Sequence, residues 1–95
     1  MKLDHLRYFD RLADVLSYTN AAKSLYIAQP TLSAAIKRME QEVGLTLFRR
    51  AEGVASGVEL TEQGRIFHEY VVQALECYDT GLSLALESQN ESDSL

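Results

Sequence analysis

Pro30 is the only proline in the chain, and it stands directly before a run of alternating small, apolar and basic side chains in "YIAQPTLSAAIKRME", residues 26–40. Inside a helix a proline removes a hydrogen bond and clashes with the preceding turn, whereas at the first helical position its missing N–H costs nothing and its fixed φ is already helical. Pro30 therefore predicts an abrupt helix start, with a helix over Pro30–Glu42. At about 100° per residue, Ile36, Met39 and Val43 fall within roughly 40° of Leu32 and form an apolar stripe. Pro30, Ser33, Ala34, Lys37 and Gln41 gather on the opposite side. That outer face is small at its N-terminal end, where a solvated helix would normally carry long charged residues. One reading is a neutral surface. The other is a helix whose first turns approach another surface closely, with Gln29 and Ser33 offering hydrogen bonds and Lys37 a charge one turn later. A major groove of B-DNA admits such a helix and presents donors and acceptors that Gln and Ser can read.

The flanking segments supply a setting for this helix. Leu3, Leu6, Phe9, Ala13 and Leu16 recur at spacings of three and four, which predicts an amphipathic helix over about Leu3–Leu16. Thr19, in "SYTN", is the expected N-cap of a short helix from Asn20 to about Leu25. The short turn "YIA" then joins two helices, and Ala21 and Ala22 are small enough for them to pack closely. This is a helix-turn-helix pattern. Gly44 suits a helix C-terminus, and beyond it "LTLFRR" and "GVEL" read as two short strands joined by "AEGVASG". A hairpin beside a recognition helix is a wing. Thr61 in "LTEQG" is the expected N-cap of a last helix running to about Glu87, with "SQNESDSL", residues 88–95, as a polar hinge or disordered tail.

A formal net charge of −5 argues at first against a nucleic-acid partner, but its distribution reverses that impression. Residues 1–19 balance Lys2, Arg7 and Arg11 against Asp4, Asp10 and Asp14. Residues 20–65 hold Lys23, Lys37, Arg38, Arg49, Arg50 and Arg65 against five acids. Residues 66–95 contain Glu69, Glu76, Asp79, Glu87, Glu91 and Asp93 and no Lys or Arg, so the acidity belongs to the tail. No apolar run approaches the roughly 18 residues of a membrane span, and the N-terminus carries acids where a signal peptide would have an uncharged core. A cytoplasmic location beside the nucleoid is expected. Cys77 is the single cysteine and builds no disulfide framework, and neither His5 nor His68 lies near it at metal-ligand spacing. No Ser-His-Asp or Cys-His constellation and no glycine-rich phosphate loop can be assembled. The expectation is a non-enzyme without metal or cofactor.

The ordered set "LRYFDRLAD", "SYTNAAKSLYIAQPTLSAAIKRMEQEVGLTLFRR" and "LTEQG" resembles the N-terminal domain of the LysR-type transcriptional regulators over about residues 3–88. The resemblance implies a mainly α fold: a winged helix-turn-helix of three helices and a two-stranded β wing over residues 1–60, then a long linker helix over 61–87. It implies double-stranded DNA carrying an inverted repeat as the partner, a homodimer paired through linker helices, and a tetramer as an option for a full-length regulator. A small-molecule effector would act only through a further domain absent from this chain. Gln29, Pro30, Thr31 and Ser33 match the groove-facing start of the family's recognition helix, and Thr61 matches its threonine after the wing. Thr19, Ala34, Lys37, Arg38, Arg49 and Arg50 complete the candidate DNA contacts. Many members carry arginine where this chain has Ala34, and arginines in the wing where it has "EGVASGV". Both departures remove contacts to base edges or minor groove, leaving more of the affinity to Lys37, Arg38, Arg49 and Arg50. Arg38 has an alternative partner in Glu42 at i, i+4, and Arg49 and Arg50 have Glu52 and Glu59 across the hairpin.

On the last helix Phe67, Val71, Ala74, Tyr78, Leu82 and Ala85 form a stripe close to the 3.5-residue repeat of a coiled-coil seam. They are the expected dimer contacts, with intramolecular packing as the competing reading. Acids without bases after Arg65 disfavour a parallel pair, so an antiparallel one is expected. The alternative to a DNA-binding regulator domain is a winged helix used as a protein-interaction or dominant-negative module, since fold alone does not fix function.

Overall fold

The computed structural model describes residues 1–93, which form four helices and one hairpin: α1 (Leu3–Val15), α2 (Tyr18–Leu25), α3 (Gln29–Val43), β1 (Phe48–Arg50), β2 (Val58–Leu60) and α4 (Glu62–Asp93). The architecture is the predicted one, mainly helical with a two-stranded antiparallel wing and a long last helix. No helix among the described residues is long and apolar enough to cross a membrane.

Each boundary has a local cause. α1 ends one residue before the expected Leu16, which takes a left-handed conformation (φ 58°) and returns its N–H to the Leu12 carbonyl. α2 starts two residues before Asn20. Its N-cap is Ser17, whose hydroxyl accepts from the Asn20 N–H at 3.2 Å, so Thr19 is not the cap. The wing decides between the two hydroxyls: Tyr18 N–H donates to the Ser56 carbonyl at 3.0 Å and Ser17 bridges to Gly57, which holds Ser17 extended and outside the helix. α3 begins at Gln29 with Ala28 as its N-cap, so Pro30 is the second helical residue, still within the turn whose N–H groups have no intrahelical partner. Gly44 closes α3 with a left-handed φ of 74°, a conformation that costs glycine least. Both strands are three residues long, shorter than expected, with Phe48 opposite Leu60 and Arg50 opposite Val58.

The core forms where the four helices and the wing meet. Phe9, Leu12, Leu32, Ile36, Met39 and Leu47 are fully buried, and the predicted stripe of α3 accounts for three of them. The Phe9 ring lies 5.4 Å from both Phe48 and Phe67 in tilted geometry, so one aromatic side chain joins α1, the wing and α4. Glu40 fastens the link from α3 to β1: its Oε2 accepts from Leu47 N–H at 2.6 Å and from Phe48 N–H at 3.3 Å.

α4 corrects two expectations. It continues through Asp93, six residues beyond Glu87, so residues 88–93 are helical and not a hinge; residues 94 and 95 lie outside the described residues. The start of the expected dimer stripe is also used internally. Val71 is buried with Leu75 in the chain's own core and Phe67 packs against it, because this side of α4 is laid on α1. The same side passes the edge of the body after Leu75 and emerges as exposed Tyr78, Leu82 and Ala85. The molecule is elongated accordingly, 60 × 25 × 19 Å.

Candidate nucleic-acid interface

The outer face of α3 is open along its whole length. Gln29, Pro30, Thr31, Ser33, Ala34, Lys37, Arg38 and Gln41 are all exposed, while Leu32, Ala35, Ile36 and Met39 turn inward. At the N-terminal end of this face the Thr19 hydroxyl donates to Gln29 Oε1 at 3.1 Å. That bond engages the Gln29 carboxamide oxygen from the α2 side and leaves its NH₂ available as a donor. Thr19 thus supports Gln29 from α2.

The basic residues divide into paired and unpaired. Arg38 Nε donates to Glu42 Oε1 at 3.3 Å, and the same carboxylate meets the N-terminal amine at 3.0 Å. The N-terminal amine, then Arg38, hold the Glu42 carboxyl below its ordinary value. Arg49 Nε donates to Glu59 Oε1 at 2.6 Å across the wing, the pairing anticipated as its competing partner. Among the described residues, Lys37 and Arg50 have no such partner and are exposed, which makes them the freest cations beside α3 and the wing. Exposed pairs such as Arg38–Glu42 are weak enough for a phosphate to displace the carboxylate.

Thr61 is occupied structurally. Its hydroxyl donates to the Thr46 carbonyl at 2.6 Å and accepts from Gly64 N–H at 3.0 Å, while its own N–H donates to the Leu47 carbonyl. It caps α4 and ties it to the segment before β1. Gly64 shares this junction: a Cβ there would run into the Leu47 carbonyl oxygen. The wing tip is apolar and exposed at Val54, and it carries no base, as "EGVASG" anticipated. Tyr26, 95% exposed in the turn between α2 and α3, stands beside the same face and was not singled out from the sequence. Glu40, Ser17 and Gly64 were missed as well. The one visible signal for Gly64 was a glycine in the first turn of a helix, where its conformational freedom is a cost.

Residues 3–65 match the model of the bacterial regulatory helix-turn-helix protein, lysR family. The chain is 48% identical to the HTH-type transcriptional regulator BudR of Klebsiella aerogenes over 85 residues, which cover 90% of this chain and 57% of BudR. It is 42% identical to the HTH-type transcriptional regulator AlsR of Bacillus subtilis over 85 residues, 90% of this chain and 27% of AlsR. The chain therefore spans between about half and a quarter of these relatives' lengths. Among solved structures it is similar to the DNA-binding domain of BenM in complex with benA site 1 DNA, with a TM-score of 0.82 and 38% identity, covering 90% of this chain and 95% of that one. It is also similar to the CbnR DNA-binding domain in complex with DNA, with a TM-score of 0.84 and 27% identity, covering 93% and 98%. By the family match and by a shared winged helix-turn-helix with a long C-terminal helix, this chain belongs to the LysR family of bacterial helix-turn-helix regulators.

Proposed function

We propose that the chain is a sequence-specific DNA-binding domain of a transcriptional regulator, and that α3 enters the major groove with Gln29 and Ser33 toward base edges. The observation that carries this reading is the bare outer face of α3, small at its N-terminal end, with a Gln29 donor braced by Thr19 and two unpaired cations, Lys37 and Arg50, at its margins. Pro30 and Thr31 line the close approach, Ala34 leaves room without reading a base, and Arg38 and Arg49 exchange carboxylate partners for phosphate. Thr61 acts by holding the wing to α4. DNA as the ligand puts the site of action in the cytoplasm, at the nucleoid.

The same reading makes the domain a homodimer on an inverted repeat. The exposed parts of α4 support it: Ile66, Tyr70, Tyr78, Leu82, Leu84 and Leu86 are each roughly half exposed, an apolar area too large for a solvated helix. Leu45, Gln63, Ile66, Phe67 and Tyr70 line an open apolar hollow of about 390 Å³, which suits a side chain of the second copy. Ala74, Tyr78, Leu82 and Ala85 form the seam, Ile66 and Tyr70 widen it on the adjoining side of α4, and the acids of α4 favour an antiparallel pair. Effector response and any tetramer reside in a further domain.

A mobility shift on single and paired half-sites at increasing salt tests the reading. Specific binding should weaken with a slope of about −0.9 per phosphate contact, and Leu82→Asp should abolish the advantage of paired over single half-sites while leaving the fold intact. Binding that ignores both salt and sequence would leave the protein-interaction reading of the winged helix.

A further inference from the structure

We propose that Asp10, Asp14 and His68 form a binding site for one divalent transition-metal ion of the zinc, cobalt and nickel class, bridging α1 and α4. Asp10 and Asp14 stand one turn apart on α1, so their carboxylates share a face, and His68 reaches that face from α4. One ligand atom from each of the three lies within 4.8 Å of the other two. In a tetrahedral zinc shell, with bonds of about 2.0–2.2 Å, neighbouring ligand atoms are about 3.3 Å apart, a contraction within the rotamer freedom of the exposed Asp14.

Three features point to a cation and not to a hydrogen bond alone. His68 Nε2 and Asp10 Oδ1 are 2.8 Å apart with both side chains mostly covered, and that pair has no need of Asp14, yet Asp14 closes the third side. Among the described residues neither carboxylate is paired with a Lys or Arg, so two negative groups converge beside one imidazole. The two helices are already fixed against each other by Phe9, Phe67 and Val71, and the His68 ring is set edge to face against Phe9 at 5.8 Å. Asp10 and His68 are therefore held before any ion arrives, and Asp14 closes on it by a side-chain rotation. An imidazole with two carboxylates selects a first-row transition ion over magnesium or calcium, which prefer all-oxygen shells. His68 would bind through Nε2 as neutral imidazole with its proton on Nδ1; the Asp10 oxygen that shared the Nε2 proton becomes a ligand, and water completes the shell. The ion would staple the base of α4 to α1. The site is independent of any DNA role.

Cobalt(II) added to the full chain provides the test, followed by visible absorption and by competition with zinc. The wild type should show d–d bands stronger than those of aqueous cobalt, lost on adding zinc, and zinc should raise the melting temperature. Asp14→Asn, which leaves the Asp10–His68 pair in place, should weaken binding about tenfold or more, as should His68→Gln. Cys77→Ser, which removes the exposed thiol, should bind as the wild type does. Only the aqueous cobalt spectrum in the wild type, a signal that vanishes with Cys77→Ser, or full-strength binding by Asp14→Asn would each overturn the site.

Discussion

Arg7 on α1 and Asp79 on α4, 72 residues apart in sequence, are joined by two hydrogen bonds of 2.8 and 3.4 Å, and the same guanidinium lies 5.9 Å from the centre of the Tyr78 ring. This pair ties α4 to α1 where buried packing ends, just beyond Leu75.

The pair gives α4 an acid-sensitive tie. Hydrogen bonding from Arg7, with its positive charge, holds the Asp79 carboxyl below its ordinary value of 3.8. A carboxyl lowered in the folded state contributes stability that is complete above the unfolded value and is lost as pH falls through the folded one. The difference in urea midpoint between wild type and Asp79→Asn should therefore be present near neutrality and vanish well below pH 3.8. A difference that persists in strong acid would mean the pair is not its source.

Glu40 should matter more than its place on a surface helix suggests. Glu40→Ala removes the acceptor for two backbone N–H groups, Leu47 and Phe48, and should cost about 1–3 kcal/mol in denaturant unfolding. Glu40→Gln, which keeps an acceptor oxygen, should lose clearly less. Equal losses would show that charge, not acceptance, is what the loop needs.

Two glycines of α4 should respond in opposite directions. Gly64→Ala drives a Cβ into the Leu47 carbonyl, whose position is held by Thr61, and should destabilise by about 1–3 kcal/mol. At Gly81 nothing lies within 4 Å, so Gly81→Ala should stabilise the helix by about 0.5–1 kcal/mol. Thermal melts of both variants at one low concentration separate them.

If Gln29 reads a base, its brace should matter too. Gln29→Ala should reduce discrimination by about 1–3 kcal/mol for the base pair it contacts. Thr19→Val, which removes the donor to Gln29 Oε1, should reduce it by less at the same base pair and nowhere else. Competition titrations with single base-pair changes test both, and a uniform loss across all sequences would assign Gln29 to phosphate.

The sequence was most legible where a residue's own chemistry decides its place. Gly44, Thr61 and the Leu32 stripe sit as expected because caps and periodicity act within a turn or two. Pro30 was one position out, since the first turn of a helix tolerates proline at more than one site. The readings that failed needed distant partners. Ser17 and Thr19 are equivalent caps until Ser56 and Gly57, forty residues on, hold one of them extended. Phe67 and Val71 carry the spacing of a seam, but spacing does not say whose surface covers them, and α1 does. The convergence of Asp10 and Asp14 on His68 was likewise out of reach, because no local pattern reports which face of α1 meets α4. The exposed face of α3 was legible because exposure on a helix follows from its own period.

The bridge between Ser17 and Gly57, with Val58 N–H donating to the Leu16 carbonyl at 3.1 Å, closes the outer side of β2 where the strand begins. β1 covers one flank of β2, and Leu16 and Ser17 cover the start of the other. The outer edge of β1 is three residues long, its first amide is taken by Glu40, and two arginines follow. A short, charged edge is a poor template for adding a strand from another molecule. The hairpin can therefore stand out from the body at high protein concentration without seeding aggregation, even with an apolar tip.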